Sequence, residues 1–170
     1  LRWSTLGRGA NLDAYEYNAL NANASGVTRA QCVPGGGDGT LVVYIAQSAA
    51  TATGPQVATV QAHIDSVAPV TDAPTVTAAT AVTVNITATI YVIAASDSAA
   101  NRTLATDALS AYINGLDLGD ATVDVVKLGA AIYAAAGIRD VDVVIPAADV
   151  SIPAGQVAVV GTYTLTWTTV

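Results

Sequence analysis

The chain has 170 residues, 52% of them hydrophobic and 11% charged, with 6 basic residues against 13 acidic ones and a net charge of -7. That is enough apolar material for one substantial domain or two small ones, and it excludes an intrinsically disordered chain, which needs low hydrophobicity and high net charge. The basic residues Arg2, Arg8, Arg29, Arg102, Lys127 and Arg139 are scattered, so no basic stripe can neutralise phosphates and no nucleic acid is expected as a partner.

Neither a basic n-region nor an apolar h-region opens the chain, and it contains no Met, so no signal peptide is read there and Leu1 is not expected to be the native start. Residues 11 to 24 carry Leu12, Tyr15 and Ala19 at helical spacing, with Asn11 as the expected N-cap and Gly26 as the stop. Two apolar runs follow, Val27 to Pro34 and Thr40 to Ala46. The glycine-rich residues 35 to 39 join them into a hairpin, because glycine reaches positive φ at little cost. Cys32 lies inside the first run; a lone cysteine builds no disulfide framework, and a buried, inert thiol is expected.

From Gly54 and Pro55, the residues Val57, Val60, Ile64 and Val67 fall on one helical face until Pro69 stops the pattern. Pro74 to Ala79 reads as a third strand. Residues 1–79 are thus expected to form an α-β-β-α-β module, with a helix covering one face of a small sheet.

Strict alternation then sets Val82, Val84, Ile86, Ala88, Ile90 and Val92 against Thr83, Asn85, Thr87, Thr89 and Tyr91, the pattern of a half-buried strand. Ser96, Asp97 and Ser98 are candidate N-caps for a helix with an apolar stripe of Leu104, Ala108, Leu109, Tyr112 and Ile113, ending near Gly115. A second helix, Val125 to Ala136, buries Leu128, Ile132 and Ala135 and ends at Gly137. A strand over 138–145 presents Ile138, Val141, Val143 and Ile145. A last strand over 156–168 alternates Val157, Val159, Tyr163, Leu165 and Trp167 with Thr162, Thr164, Thr166 and Thr168. Residues 80–170 are therefore expected to form a β-α-α-β-β module. The fold class expected for the whole is α+β, with two small modules, each a mixed or antiparallel sheet covered by helices. No apolar stretch is long enough for a membrane-spanning helix, and no membrane is expected as a partner.

Chemistry-bearing residues are few. Catalysis needs a nucleophile, a base and an orienting group within hydrogen-bond reach, and a metal needs converging ligands. His63, the single histidine, sits off the apolar stripe of its helix beside Asp65 and reads as a solvated surface residue. Asp117, Asp120, Asp124, Asp140, Asp142 and Asp149 contain the right oxygens for a hard cation, but their spacing matches no calcium loop, and they read as solvated loop and strand-edge acids. The glycines from Gly35 to Gly39 precede a strand, where a phosphate loop needs a helix, so they read as a turn. Asn-x-Ser/Thr triplets at Asn23, Asn85 and Asn101 arise easily by chance in this composition. No catalytic, cofactor-binding or metal-binding residue is assigned, no cofactor is expected, and the chain is not expected to be an enzyme.

The string GVTRAQCVPGGGDGTLVVYIA at residues 26–46 resembles the baseplate J family of contractile phage tails, through Gly26, Val27, Arg29, Ala30, Pro34, Gly37, Gly39 and Thr40. The likeness continues through QVATVQAHIDSVAPVTDAPTVTA, where Pro69, Val70 and Thr71 match and Ala68 stands where an arginine is often found. It closes with GAAIYAAAGIRDVDVVIPAADVSIPAGQVAVVG, including Pro146 and Gly161. The resemblance runs from about Asp13 to Gly161 in the family's order of elements, with the family's N-terminal region missing. The matched residues are turn glycines, prolines and core apolars, which report fold and carry no catalytic role.

The resemblance implies a structural virion protein, a wedge component of the baseplate that contacts other baseplate proteins and copies of itself in a ring around the tail tube. It would be assembled in the host cytoplasm and would help the ring rearrange when the sheath contracts. The strand edge at Thr162 to Thr168 is an expected contact through sheet augmentation. Two other classes compete. A secreted adhesin or cell-surface module would suit the Thr/Val/Ala-rich strands and acidic balance, but such modules are usually all-β. A small hydrolase would need a site that one histidine without a matched nucleophile does not provide.

Overall fold

In the computed structural model, residues 12–36, 39–119 and 121–170 are described. The expected N-cap Asn11, the turn residues Gly37 and Asp38, and Asp120 lie outside them, as do Arg2 and Arg8. The fold is α+β, with four α-helices and eight strands among the described residues, so the all-β architecture of a typical adhesin module does not apply. The chain divides into two compact units. One comprises residues 1–81 with 117–120 and 153–157; the other comprises 82–116, 121–152 and 158–170.

In the first unit, α1 (Leu12–Leu20) leads into the antiparallel pair β1 (Val27–Pro34) and β2 (Thr40–Gln47), then α2 (Gly54–Val67) and β3 (Ala73–Ala78). β3 lies parallel to β2, with Val43 opposite Val76. A parallel return needs a crossover element, and α2 is that element. Thr53 caps α2 in a capping box with Gln56, and Pro55 sits in its first turn, where its missing N–H costs nothing. Val60 and Ile64 turn fully inward, while Val57 and Val67 are half-buried. With Tyr15, Cys32, Val43, Ile45 and Val76 they form one core, each large side chain contributing about 2 kcal/mol. Helix α1 ends at Leu20, earlier than Gly26 suggested; Asn23, at φ 55, already turns the chain before Gly26 does the same. At Gly39 (φ +73) a Cβ would run into the Thr71 carbonyl, so the β1–β2 turn requires glycine there.

The second unit is built on β4 (Thr80–Val92), whose odd and even positions divide as alternation demands: Val84, Ile86, Ala88, Ile90 and Val92 are buried, and Asn85 is exposed. A 3-10 turn at Ala94–Ser96, absent from the sequence reading, leads to α3 (Ala99–Asn114), capped by the Ser98 side chain. α4 (Val125–Tyr133) follows, then β6 (Ile138–Ile145) and β8 (Gln156–Thr169). Two short strands, β5 (Ala121–Val123) and β7 (Val150–Ile152), pair antiparallel to each other and were also not anticipated. Three residues give no visible period, but Val123 and Ile152 each insert one fully buried side chain into the core.

The main sheet has the order β6-β4-β8. β6 is antiparallel to β4, with Ile90 opposite Val141 and Ala88 opposite Val143. Thr162 N–H reaches Asn85 Oδ1 and Val170 N–H reaches the Val92 carbonyl, so β8 runs in the same direction as β4.

Four expectations are corrected. Leu104 is 56% exposed; the stripe of α3 is Ala105, Leu109 and Ile113, rotated by one position because a spacing of four keeps those three in line. Helix α4 ends at Tyr133, short of Ala136. Ile145 is exposed at the end of β6. In β8 the core-facing parity changes. Ala158 and Val160 pack inward, and beyond Gly161 the odd residues Tyr163, Leu165 and Trp167 do so, leaving Val159 off the predicted face. Gly161 allows the change: a Cβ there would overlap Asn85 Oδ1, the atom that replaces a ladder carbonyl for Thr162.

Candidate interaction surface

Three of the acids singled out from the sequence, Asp124, Asp140 and Asp149, have local structural partners. Asp124 caps α4, its Oδ1 accepting from Val126 N–H at 2.8 Å and Lys127 N–H at 3.2 Å. Asp149 Oδ1 accepts from Val125 N–H, and Asp140 Oδ1 accepts from the Tyr133 hydroxyl and Val141 N–H. Asp117 and Asp142 are exposed. Among the described residues, no three His, Cys, Asp or Glu side chains converge as a metal site would require. His63 is half-buried on α2, less solvated than expected, and its carbonyl accepts the Ser66 hydroxyl.

Two of the Asn-x-Ser/Thr asparagines also have structural partners. Asn85 accepts from Thr162 N–H, and Asn101 Nδ2 donates to the carbonyls of Ser96 and Ala136. Cys32 is a buried free thiol; burial, with Glu16 adding a smaller effect, pushes its pKa up to about 11, where it is a poor nucleophile.

Arg29 has only 9% of its surface exposed. Its guanidinium donates to the Gln47 and Ser48 carbonyls, which ties β1 to the loop after β2. Burial lowers its pKa, and Asp117 opposes that shift. The arrangement is a structural clamp: a permanently charged fork satisfies carbonyls that the loop would otherwise leave bare. A similar arrangement binds the segment 153–157 into the first unit, where Gly155 N–H donates to Gln31 Oε1 and the Gly155 carbonyl accepts from Thr80 N–H.

What remains available is surface. The outer face of the main sheet is polar, with exposed Thr162, Thr164, Thr166 and Thr168 on β8 and half-buried Thr87, Thr89 and Tyr91 on β4. Across from it on β6, Asp142 faces Thr89 and Asp140 faces Tyr91. β6 and β8 are the edges of this sheet. Between α4 and β6 lies an open, shallow groove lined by Val126, Gly129, Ala130, Tyr133 and Val143, and Val126 on its rim is 79% exposed. Apolar grooves and free sheet edges are features of protein association. Among the described residues no helix is long and apolar enough to cross a membrane.

Two family models account for the architecture. The baseplate J-like central domain matches residues 7–80, and the baseplate J-like protein C-terminal domain matches residues 84–166. The chain belongs to the baseplate J-like family. It is a structural protein of a phage baseplate, located in the virion tail. No curated protein matches the chain. The residues that carried the family resemblance are positioning residues. Gly26 and Gly39 adopt positive φ, Arg29 is the clamp, Pro34 and Thr40 bound the hairpin, and Gly161 makes room for Asn85. Val70, beside Pro69, is fully exposed. The structural role of Arg29 was not legible in the sequence, because nothing local distinguishes a buried arginine in a strand from a surface one.

Proposed function

We propose that this chain is a wedge component of a contractile phage tail baseplate, which joins neighbouring baseplate proteins and copies of itself into a ring around the tail tube. On this reading it is assembled in the host cytoplasm and takes part in the ring's rearrangement when the sheath contracts. It catalyses no reaction and engages neither nucleic acid nor membrane. The observation that carries the proposal is the pair of consecutive baseplate J-like matches, which span both units. The surface adds physical support, since polar sheet faces, free strand edges and an apolar groove suit protein contacts, and Asp124, Asp140 and Asp149 have structural partners while Asp117 and Asp142 lie in solvent. The two stretches 1–79 and 80–170 are proposed as its two working modules.

The test is deletion of the gene from a producing phage or prophage. Particles lacking assembled baseplates, with assembly restored by the gene supplied in trans, support the wedge role. Normal baseplates in the deletion strain contradict it.

A further inference from the structure

Beyond Gly161, edge strand β8 lacks the side-chain devices that usually keep a strand edge from pairing. From Gln156 to Val170 it has no charged residue and no proline, whereas free edges are commonly blunted by lysine, proline or inward-pointing charge. The N–H groups of Thr162 and Val170 turn towards β4. Backbone direction alternates along a strand, so Tyr163, Leu165 and Trp167 direct their N–H and C=O groups to the free edge.

The segment Thr162-Tyr163-Thr164-Leu165-Thr166-Trp167-Thr168 reads the same in both directions, apart from one aromatic replacing another. In an antiparallel ladder, residues that oppose each other have a constant sum of numbers, so a palindromic strand is complementary to itself. We infer that β8 is a homotypic interface, where two copies of this chain join edge to edge and antiparallel about a two-fold axis through Leu165. Leu165 then faces the second copy's Leu165, Tyr163 faces its Trp167, Thr164 its Thr166 and Thr162 its Thr168. Aromatic pairs and Thr–Thr pairs are favourable cross-strand neighbours, and a self-complementary two-fold contact is the commonest kind between copies.

Charge around the strand agrees with this pairing. A homotypic contact opposes each charge to a copy of the same element, and β8 brings none. On the inner side, α3 lies against the strand: Ser110 Oγ is 2.9 Å from the Tyr163 hydroxyl, and the Arg102 guanidinium stands 5.3 Å from the Trp167 ring centre. Burial raises the pKa of the Tyr163 phenol, the Ser110 hydrogen bond opposes that rise, and Asp107 adds to it. Arg102 is held by Asp97 at 2.8 Å, so the cation beside Trp167 is balanced within its own copy and brings no like charge to the contact.

The inference rests on the reading that the chain contacts copies of itself, and its failure leaves the tail location untouched. Sedimentation velocity on the full chain at micromolar concentration tests it. Two double variants are used, Thr164→Lys with Thr166→Lys and Thr164→Glu with Thr166→Glu, alone and mixed. All these positions are on the exposed face, so circular dichroism should match the parent. The parent is expected to sediment as a dimer. Each variant alone should associate roughly ten-fold or more weakly, because like charges oppose across the pair, and the mixture should recover the dimer. A monomeric parent, variants that remain dimeric, or a mixture that stays monomeric would overturn the inference.

Discussion

Cys32 shows how a single buried group sets a pH limit on the first unit. Its thiol pKa rises to about 11 because burial disfavours the thiolate, with the Glu16 carboxylate adding to the effect. In the unfolded chain the same thiol titrates near 9. Below that pH both states bind the proton and the stabilisation is fully present. Between about 9 and about 11 the folded state holds more protons, so stability falls as pH rises. Tyr15 acts in the same direction at higher pH. Burial raises its phenol pKa further still, and so does its hydroxyl, which donates to Asp72 Oδ2 at 2.7 Å. Urea unfolding across this range should show stability declining above pH 9, and Cys32→Ala should remove the lower part of the decline. An unchanged profile in the variant would exclude Cys32 as its source.

At the scale of elements, α4 depends on its first turn. It is short and strongly apolar, so its exposed N–H groups need partners, and Asp124 accepts from two of them while Asp149 takes a third. Asp124→Ala should cost about 1 kcal/mol in chemical denaturation, while leaving the far-ultraviolet spectrum intact. The sequence made β1, β2, α2, β4 and α3 legible because each carries a period or a cap: Pro55 at the start of α2, Ser98 before α3, strict alternation along β4. Elements β5 and β7 were not legible, since three residues hold no period and their pairing joins positions far apart in the chain. The parity change in β8 was hidden for a related reason. It depends on Asn85, remote in sequence, supplying the acceptor opposite Gly161. The acids were seen from the sequence, but their roles as caps and acceptors for Val125, Val126 and Val141 follow only from the fold.

At the scale of the whole molecule, the first unit draws on three parts of the chain, 1–81, 117–120 and 153–157. The Gly155 contacts with Gln31 and Thr80 show what the last of these contributes. Polar groups of the first unit are thus satisfied by backbone from the second half of the sequence, which no linear reading of residues 1–79 reveals. The family matches and the surface together describe a part whose work is to be held by neighbours. The measurement that tests this most directly is immunogold electron microscopy of purified contractile tails and of the producing cells, with antibody against this chain. Label at the end plate of the tails is the predicted result. Bare tails, with label confined to the cell envelope, would contradict it.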